Sequence, residues 1–325
     1  LEKLEKEFKR DLVVIGVHSA KFDTDKDTDQ IRQSVLRYGI DHPVVNDRDF
    51  RIWRSFEVRA WPTFVLLKPN GDVDLSVSGE GRFGEIRTGI RSLIKAFPKR
   101  SKPDLPIELE REKVAQGEFF YPSKLAYDRD SKTLFVADSS HDQIAAYSLD
   151  PKEPAKLKPS FRVGKENEPG FKNGSYSSAR FRRPQGLLVG KNVLYVADTE
   201  NHAIRKIDLR SKSVSTIAGT GKPGKTPEKL KNAPARSTAL SSPWDLAFHP
   251  DENHLAIAMA GDHQIWSLDL KSNRLSVIAG NGDEGSQDGI TPEKNELAQP
   301  SGLGSLLGSL YFVDAESSSL RFYFE

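Results

Sequence analysis

The sequence predicts two architectures in series: an α/β domain over residues 1–97 and an all-β propeller over residues 119–325. Two observations carry this. First, one phrase occurs four times in the C-terminal two-thirds. It reads Pro122-Ser-Lys-Leu … Leu134-Phe-Val-Ala-Asp138 … Gln143-Ile144, then Pro184-Gln-Gly-Leu … Leu194-Tyr-Val-Ala-Asp198 … Ala203-Ile204. It returns as Pro243-Trp-Asp-Leu … Leu255-Ala-Ile-Ala-Met259 … Gln264-Ile265 and as Pro300-Ser-Gly-Leu … Leu310-Tyr-Phe-Val-Asp314 … Ser319-Leu320. A fixed internal period of short apolar strands marks a stacked or radial repeat fold. Second, residues 1–97 alternate helical and strand periodicities, the pattern of a mixed α/β layer.

The chain has 325 residues, enough for two domains with a sizeable core. A net charge of +2 argues against a dominant nucleic-acid or acidic-membrane footprint and leaves local patches open. No apolar run approaches the roughly 18 residues of a membrane span. There are 0 cysteines, which excludes disulfides, thiol catalysis and thiolate metal sites within these residues. No cofactor is implied, and the compartment stays open between the cytoplasm and a plastid-lumen or periplasm-like space. The opening Leu1-Glu-Lys-Leu-Glu-Lys-Glu-Phe reads as mid-helix, with Leu1, Leu4 and Phe8 on one face, so further residues are expected before it.

Within the first domain, Leu12-Val-Val-Ile-Gly-Val17 is a continuous apolar run, expected as a strand buried on both faces. Asp27 to Tyr38 reads as a helix with Ile31, Val35 and Leu36 inward and Gly39 as its stop. Val44-Val45 begins a short extended piece, and Phe50, Trp53 and Phe56 mark a short helix. Phe64-Val-Leu-Leu67, the turn Pro69-Asn-Gly71 and Val73–Val77 form a hairpin. Phe83, Ile86, Ile90, Leu93, Ile94 and Phe97 stripe one face of a helix from Arg82. Pro98, Pro103 and Pro106 lie among charges, so residues 98–118 read as a semi-rigid linker.

The element order, with Trp61-Pro-Thr63 just before the hairpin, resembles a thioredoxin fold from its first helix onward. Gly16-Val-His-Ser-Ala-Lys-Phe22, Arg37-Tyr-Gly-Ile-Asp-His-Pro-Val-Val-Asn-Asp47, Trp61-Pro-Thr63 and Gly79-Glu-Gly81 resemble the NHL repeat-containing protein 2 family. The same block is similar to the lumenal part of the plant suppressor-of-quenching proteins. The resemblance covers nearly the whole chain. It implies a thioredoxin-like domain followed by an NHL propeller, a cis Pro62, and a Cys-Cys-Ile-Asn-Cys stretch upstream of Leu1. The strand leading into that stretch would separate Leu12–Val17 from Phe64–Leu67; without it their backbone groups lack a shared partner. The first domain alone is therefore expected to be poorly stable.

Candidate sites follow. Trp61, Pro62 and Thr63, with His18 at the end of a strand, are candidates for substrate or partner docking; the simpler reading of His18 is a local strand cap. The run Phe22-Asp-Thr-Asp-Lys-Asp-Thr-Asp29 lacks the Gly and Glu of a calcium loop and reads as a helix cap with a favourable dipole. No metal site and no catalytic residue is assigned. Asp138, Asp198 and Asp314 read as structural turn residues bonding N–H groups of the turn that follows. Met259 replaces the acid in one copy, which argues against shared acid chemistry.

The Gly-rich connections Gly164–Gly174, Gly219–Gly224 and Gly280–Gly289 are long and read as one binding face. Arg182, Arg183, Lys222, Lys225, Lys229 and Lys231, joined by Arg180 and Arg236, are candidates for a basic face; the simpler reading is a solvated flexible loop, and the segment is sparse in aromatic residues. The chain stops at Arg321-Phe-Tyr-Phe-Glu325, inside the third strand of the fourth blade. About four blades are therefore expected, the last incomplete.

The leading functional reading is a protein-interaction scaffold whose partners are proteins of unspecified identity. The alternative is a thiol–disulfide oxidoreductase whose cysteine motif lies upstream of Leu1. A second alternative is an RNA-binding propeller held by phosphate contacts.

Overall fold

The computed structural model describes the chain except residues 22, 80, 99–106, 114–116, 154–155, 225–229 and 324–325. The chain divides into two compact units, Leu1–Gln116 and Gly117–Glu325.

In the first unit, α1 (Glu2–Glu7) leads to β1 (Gly16–His18), α2 (Thr28–Arg37) and β2 (Val44–Asn46). Then come α3 (Arg51–Ser55), β3 (Thr63–Leu67), β4 (Val73–Ser78), α4 (Phe83–Ala96) and α5 (Glu110–Lys113). Asp27 caps α2: its Oδ1 accepts the N–H groups of Asp29 and Gln30, both at 2.9 Å. That is the cap expected of the acidic run. The core is small. Leu4 and Phe8 meet Ile86 and Ile90 of α4 across Phe64, Leu66 and Val77 of the hairpin. Gly89 permits this approach, since a Cβ there would stand 2.9 Å from Leu66 Cδ2. Pro103 and Pro106 lie outside the described residues. Further along the expected linker, Glu110 of α5 accepts from Arg32 Nε of α2 at 2.9 Å.

The run Leu12–Val17 departs from expectation. Only Gly16–His18 is strand, paired in parallel with β2, and Val13, Ile15, Val17 and Val45 are exposed. The strands β1–β2 and β3–β4 are two separate two-stranded sheets among the described residues. With a ladder on one side only, residues 12–15 have no strand to pair with and one face of β1 stays bare.

The second unit is a β-propeller arrangement with four blades among the described residues. Blade 1 is β5 (Leu125–Asp128), β6 (Thr133–Asp138), β7 (Gln143–Leu149) and β8 (Leu157–Gly164). The short β9 (Gly174–Ser175) pairs on the outer edge of blade 2, which is β10 (Pro184–Gly190), β11 (Val193–Asp198), β12 (Ala203–Asp208) and β13 (Ser213–Ala218). Likewise β14 (Ala233–Pro234) edges blade 3: β15 (Pro243–Phe248), β16 (His254–Met259), β17 (Gln264–Asp269) and β18 (Arg274–Ala279). Blade 4 has three strands among the described residues: β19 (Pro300–Leu306), β20 (Ser309–Asp314) and β21 (Ser319–Tyr323). All pairings inside the blades are antiparallel.

The repeated apolar residues form the layers between blades. Ala137, Ile144, Leu187, Leu194 and Ile207 fill the seam between blades 1 and 2. Ala197, Ile204, Leu246, Leu255 and Trp266 fill the next, and Ala258, Ile265, Leu310 and Phe312 the last. Removing one such Leu or Ile side chain costs about 2–5 kcal/mol, because the surrounding sheets cannot collapse onto the hole.

Polar bonds stitch the seams at a fixed repeat position. The residue after the recurring acid donates its hydroxyl to the carbonyl of the next blade's opening proline. Ser139 Oγ reaches Pro184 O at 2.6 Å and Thr199 Oγ1 reaches Pro243 O at 2.7 Å. The third copy has Ala260 there and no hydroxyl. At the innermost strands, Lys124 Nζ of the first copy donates to Asp245 Oδ2 of blade 3 at 2.9 Å, and Leu303 N of blade 4 donates to the same oxygen at 2.9 Å.

Candidate functional site

The end of β1, the start of α3 and the loop before β3 converge in the first unit. The Trp61–Pro62 peptide bond is cis. Trp61 is half-exposed, at 50%, and its ring lies on that of Trp53, centroids 4.3 Å apart and 37° between planes. Trp61 Nε1 donates to Ser19 O at 2.9 Å, which ties the indole to the end of the first sheet. Phe50 adds an edge contact to Trp53 at 5.7 Å.

Asp47 organises this surface from below. It is 4% exposed. Its carboxylate accepts the Ser19 hydroxyl at 2.8 Å, Ile52 N at 3.0 Å and Trp53 N at 2.9 Å. Burial pushes its carboxyl up, but the N–H groups of Trp53 and Ile52 and the Ser19 hydroxyl outweigh that and hold it below the usual carboxylate range. One buried anion thus fixes the first turn of α3 and, through it, Trp53 under Trp61.

Among the expected docking residues, Trp61 presents its ring to solvent. Pro62 has its carbonyl taken by Gly79 N at 2.8 Å. Thr63 turns its hydroxyl to Ala60 O at 2.6 Å and faces Ser78 Oγ at 2.8 Å. His18 faces Asp25 O through Nε2 at 3.1 Å, the local cap that was the simpler reading. The backbone of Trp61 has no backbone hydrogen-bond partner among the described residues. Ser19, Asp47 and Trp53 were not singled out from sequence. The one available signal was an acid placed just ahead of a short aromatic helix.

In the propeller, Asp138, Asp198 and Asp314 are all 0% exposed. The expectation that they bond N–H groups of the following turn is corrected. They reach back to the segment leading into the opening proline of their own copy. Asp138 accepts Phe120 N and Asp198 accepts Arg182 N, each at 2.8 Å, and Asp314 accepts the N–H groups of Ala298 and Gln299. They sit at the end of a strand whose partner begins with that segment, which places its N–H groups nearer than those of the turn. Side chains of the turn and of the strand after it take the other oxygen: His141 and Gln143 on Asp138, and Asn201 on Asp198.

A second partner went unnoticed in the sequence. Arg205 Nη1 donates to Asp198 at 2.7 Å, and Arg321 Nη1 lies 3.5 Å from Asp314. Each arginine stands seven residues after its acid; at the same spacing after Met259 stands Trp266. These arginines also hold the long Gly-rich connections. Arg205 donates to Arg180 O and Lys172 O, at 2.9 and 2.7 Å. Arg321 donates to Glu296 O, and to Gln287 O at 3.0 Å. Arg205 further lies between Phe171 and Phe181, 5.1 Å from each ring.

Of the expected basic face, Lys222 and Lys231 are exposed, Arg182 and Arg183 are half-buried, and Lys225 and Lys229 lie outside the described residues. Arg180 is spent on Glu168, at 2.8 Å. A cavity of ≈ 540 Å³ lies against the innermost strands, lined by Lys124, Leu187, Asp245, Phe248, His249 and Leu303. No group of His, Asp or Glu suited to a metal ion occurs among the described residues, and no helix there is long and apolar enough to cross a membrane.

Comparison with known proteins agrees with both units. A family model described as thioredoxin-like matches residues 1–73, and the NHL repeat model matches residues 181–207. The chain is similar to Protein SUPPRESSOR OF QUENCHING 1, chloroplastic, of Arabidopsis thaliana, 41% identical over 99% of the chain and 31% of that protein. It is similar to NHL repeat-containing protein 2 of Bos taurus, 38% identical, and of Homo sapiens, 37% identical, in each case over 95% of the chain and 45% of the relative. The chain thus spans less than half the length of these relatives.

Proposed function

We propose that this homologue of NHL repeat-containing protein 2 and SUPPRESSOR OF QUENCHING 1 is a protein-recognition scaffold, in which the thioredoxin-like domain docks an extended polypeptide at Trp61–Pro62. The carrying observation is the half-exposed Trp61 ring, stacked on Trp53 and fixed through Ser19 and Asp47, beside a cis proline. An aromatic shelf with a hydrogen-bonded anchor beneath it supplies apolar contact area at little conformational cost. The NHL propeller, a fold commonly used for protein binding, supplies a second surface through the connections that Arg205 and Arg321 hold in place.

Photo-crosslinking from a benzoylphenylalanine at position 61 tests this, with the same probe at Lys152 as the reference. Discrete adducts from position 61, lost on Trp53→Ala, support docking; adducts equal to those from Lys152 overturn it.

A second reading has its own support. The thioredoxin-like match over residues 1–73 and the exposed Trp61 ring fit a docking surface for thiol–disulfide exchange carried out by cysteines elsewhere in a longer protein. With 0 cysteines, these residues would supply recognition and not the thiol. Insulin reduction by a longer gene product, lost on Cys→Ser change, would separate this reading from pure scaffolding. The RNA reading has less support, since Arg180 is engaged with Glu168 and the arginines beside it are half-buried.

A further inference from the structure

We infer that the seam between blades 2 and 3 is a proton-sensitive latch, with His202 as the group that takes the proton. The geometry comes from one repeat position. Four residues after the recurring acid or methionine stand Asp142, His202, His263 and Ser318. All four have left-handed backbones, with φ of 57°, 48°, 53° and 52°. That conformation turns the first three side chains toward the next blade. Asp142 Oδ1 accepts Arg183 N at 2.9 Å, and His202 Nδ1 accepts Ser242 N at 3.0 Å. His263 Nδ1 bonds Ala298 O.

The two histidines have opposite proton requirements. A backbone N–H only donates, so Nδ1 of His202 must be bare and its ring neutral. A carbonyl only accepts, so Nδ1 of His263 must carry hydrogen. A proton added to His263 goes to Nε2 and leaves its bond intact. A proton added to His202 goes to Nδ1 and sets N–H against N–H. Mild acid therefore acts on one seam and spares its neighbour.

Two charged groups face His202: Glu200 on its own turn and Arg182 on the segment entering blade 2. Burial holds the imidazole below its usual range; Glu200 raises it and Arg182 lowers it further. The sign follows. With the folded value below about 6.5, the latch contributes fully above pH 6.5 and its contribution is lost as pH falls through that value toward the folded one.

The release is local. Thr199 Oγ1 still holds Pro243 O at 2.7 Å, so acid removes one of two bonds at Ser242-Pro243. Ser242 directly follows Leu240 and Ser241, whose carbonyls accept Gly224 N at 3.3 Å and Gly261 N at 3.2 Å. The expected response is loosening at residues 240–242, with the blades still stacked.

Nitrogen-15 histidine spectra and amide hydrogen exchange on the full 325-residue chain test the latch. At pH 7.5 His202 should be the neutral Nε2–H tautomer. Corrected for intrinsic rates, protection of the Ser242 amide should fall about tenfold as pH is lowered from 7.5 through the range in which the same spectra show His202 taking its proton, the loss of one ordinary hydrogen bond. His202→Asn keeps an acceptor and a residue suited to the left-handed backbone, and should abolish this pH response; His263→Asn should retain it. An Nδ1–H tautomer of His202 in the unaltered chain, or Ser242 protection that ignores pH, overturns the inference without reliance on any variant.

Discussion

Asp198 and Arg205 form a fully enclosed ion pair: both side chains are 0% exposed and Nη1 donates to Oδ2 at 2.7 Å. Copy 3 of the repeat replaces both members together, with Met259 and Trp266 in the corresponding places and both again 0% exposed. The protein therefore contains two solutions to one packing position, one ionic and one apolar.

Exchanging them is the first prediction. Asp198→Met or Arg205→Trp alone strands a buried charge and should cost about 3–5 kcal/mol. The double variant should recover most of that in thermal unfolding, because a well-packed apolar pair often matches a buried ionic one. Hydrogen exchange between Lys172 and Arg180 should rise in the double variant, since Arg205 no longer holds those carbonyls. Burial pushes the Asp198 carboxyl up to about 6, against the pull of Arg205. Between pH 4 and 6 the folded state thus keeps a proton that the unfolded state has lost, so this contribution to stability declines as pH rises. The double variant should lack that slope.

The seam without a hydroxyl gives a gain. Ala260→Ser should place a donor where Ser139 and Thr199 already bond the next proline carbonyl, and stabilise the propeller by about 0.5–1.5 kcal/mol. Ser139→Ala should lose a similar amount or more, as it leaves Pro184 O without that donor. Unchanged melting of Ala260→Ser would show that the repeat geometry does not transfer to this seam.

Close blade approach near the axis depends on Gly186. A Cβ there would stand 2.7 Å from Asp245 Cα and 2.9 Å from Trp244 O, both backbone atoms of the neighbouring blade. Gly186→Ala should therefore cost about 1–3 kcal/mol. Gly304→Ala, with nothing within 4 Å of the added carbon, is the matched control and should change stability by less than about 0.5 kcal/mol.

Asp47→Ala should leave the Ser19 hydroxyl and two N–H groups of α3 without their acceptor. About 2–4 kcal/mol of destabilisation of the first unit follows from that. Asp47→Asn keeps one acceptor oxygen and should cost less. Both should alter the near-ultraviolet circular dichroism from the Trp53–Trp61 pair. Retention of that signal in Asp47→Ala would show that the tryptophans do not depend on the anion beneath them.

The propeller was legible because its evidence repeats: each copy ends a strand at an acid or Met259 and places Ile or Leu six residues later, and Ile144, Ile204 and Ile265 of the first three copies lie in the layers between blades. What escaped was pairing beyond a single strand: Arg205 reaches Asp198 across the β11–β12 turn, and His202, on a left-handed backbone, faces Ser242 at the entry to the next blade, and the periodicity of one strand reports neither. In the first unit Trp61-Pro62 was legible as a docking candidate. Asp47 was not, because an acid before a short helix looks like an ordinary cap until Ser19 and Trp53 are seen to share it. The apolar run Leu12–Val17 misled, since apolar character alone does not say whether a neighbouring strand is there to bury it.

Outside the ladders within each blade, the seam bonds of Ser139 and Thr199 join a blade to the one beside it, the nearest-neighbour pattern of a repeat array. The Lys124–Asp245 pair breaks that rule by linking the first copy to the third. Loss of blade 1 must then also release Asp245, whose other partner is the backbone of blade 4. A single contact near the axis thus couples the first copy to the third, by on the order of 1 kcal/mol or less for a pair whose lysine is 40% exposed.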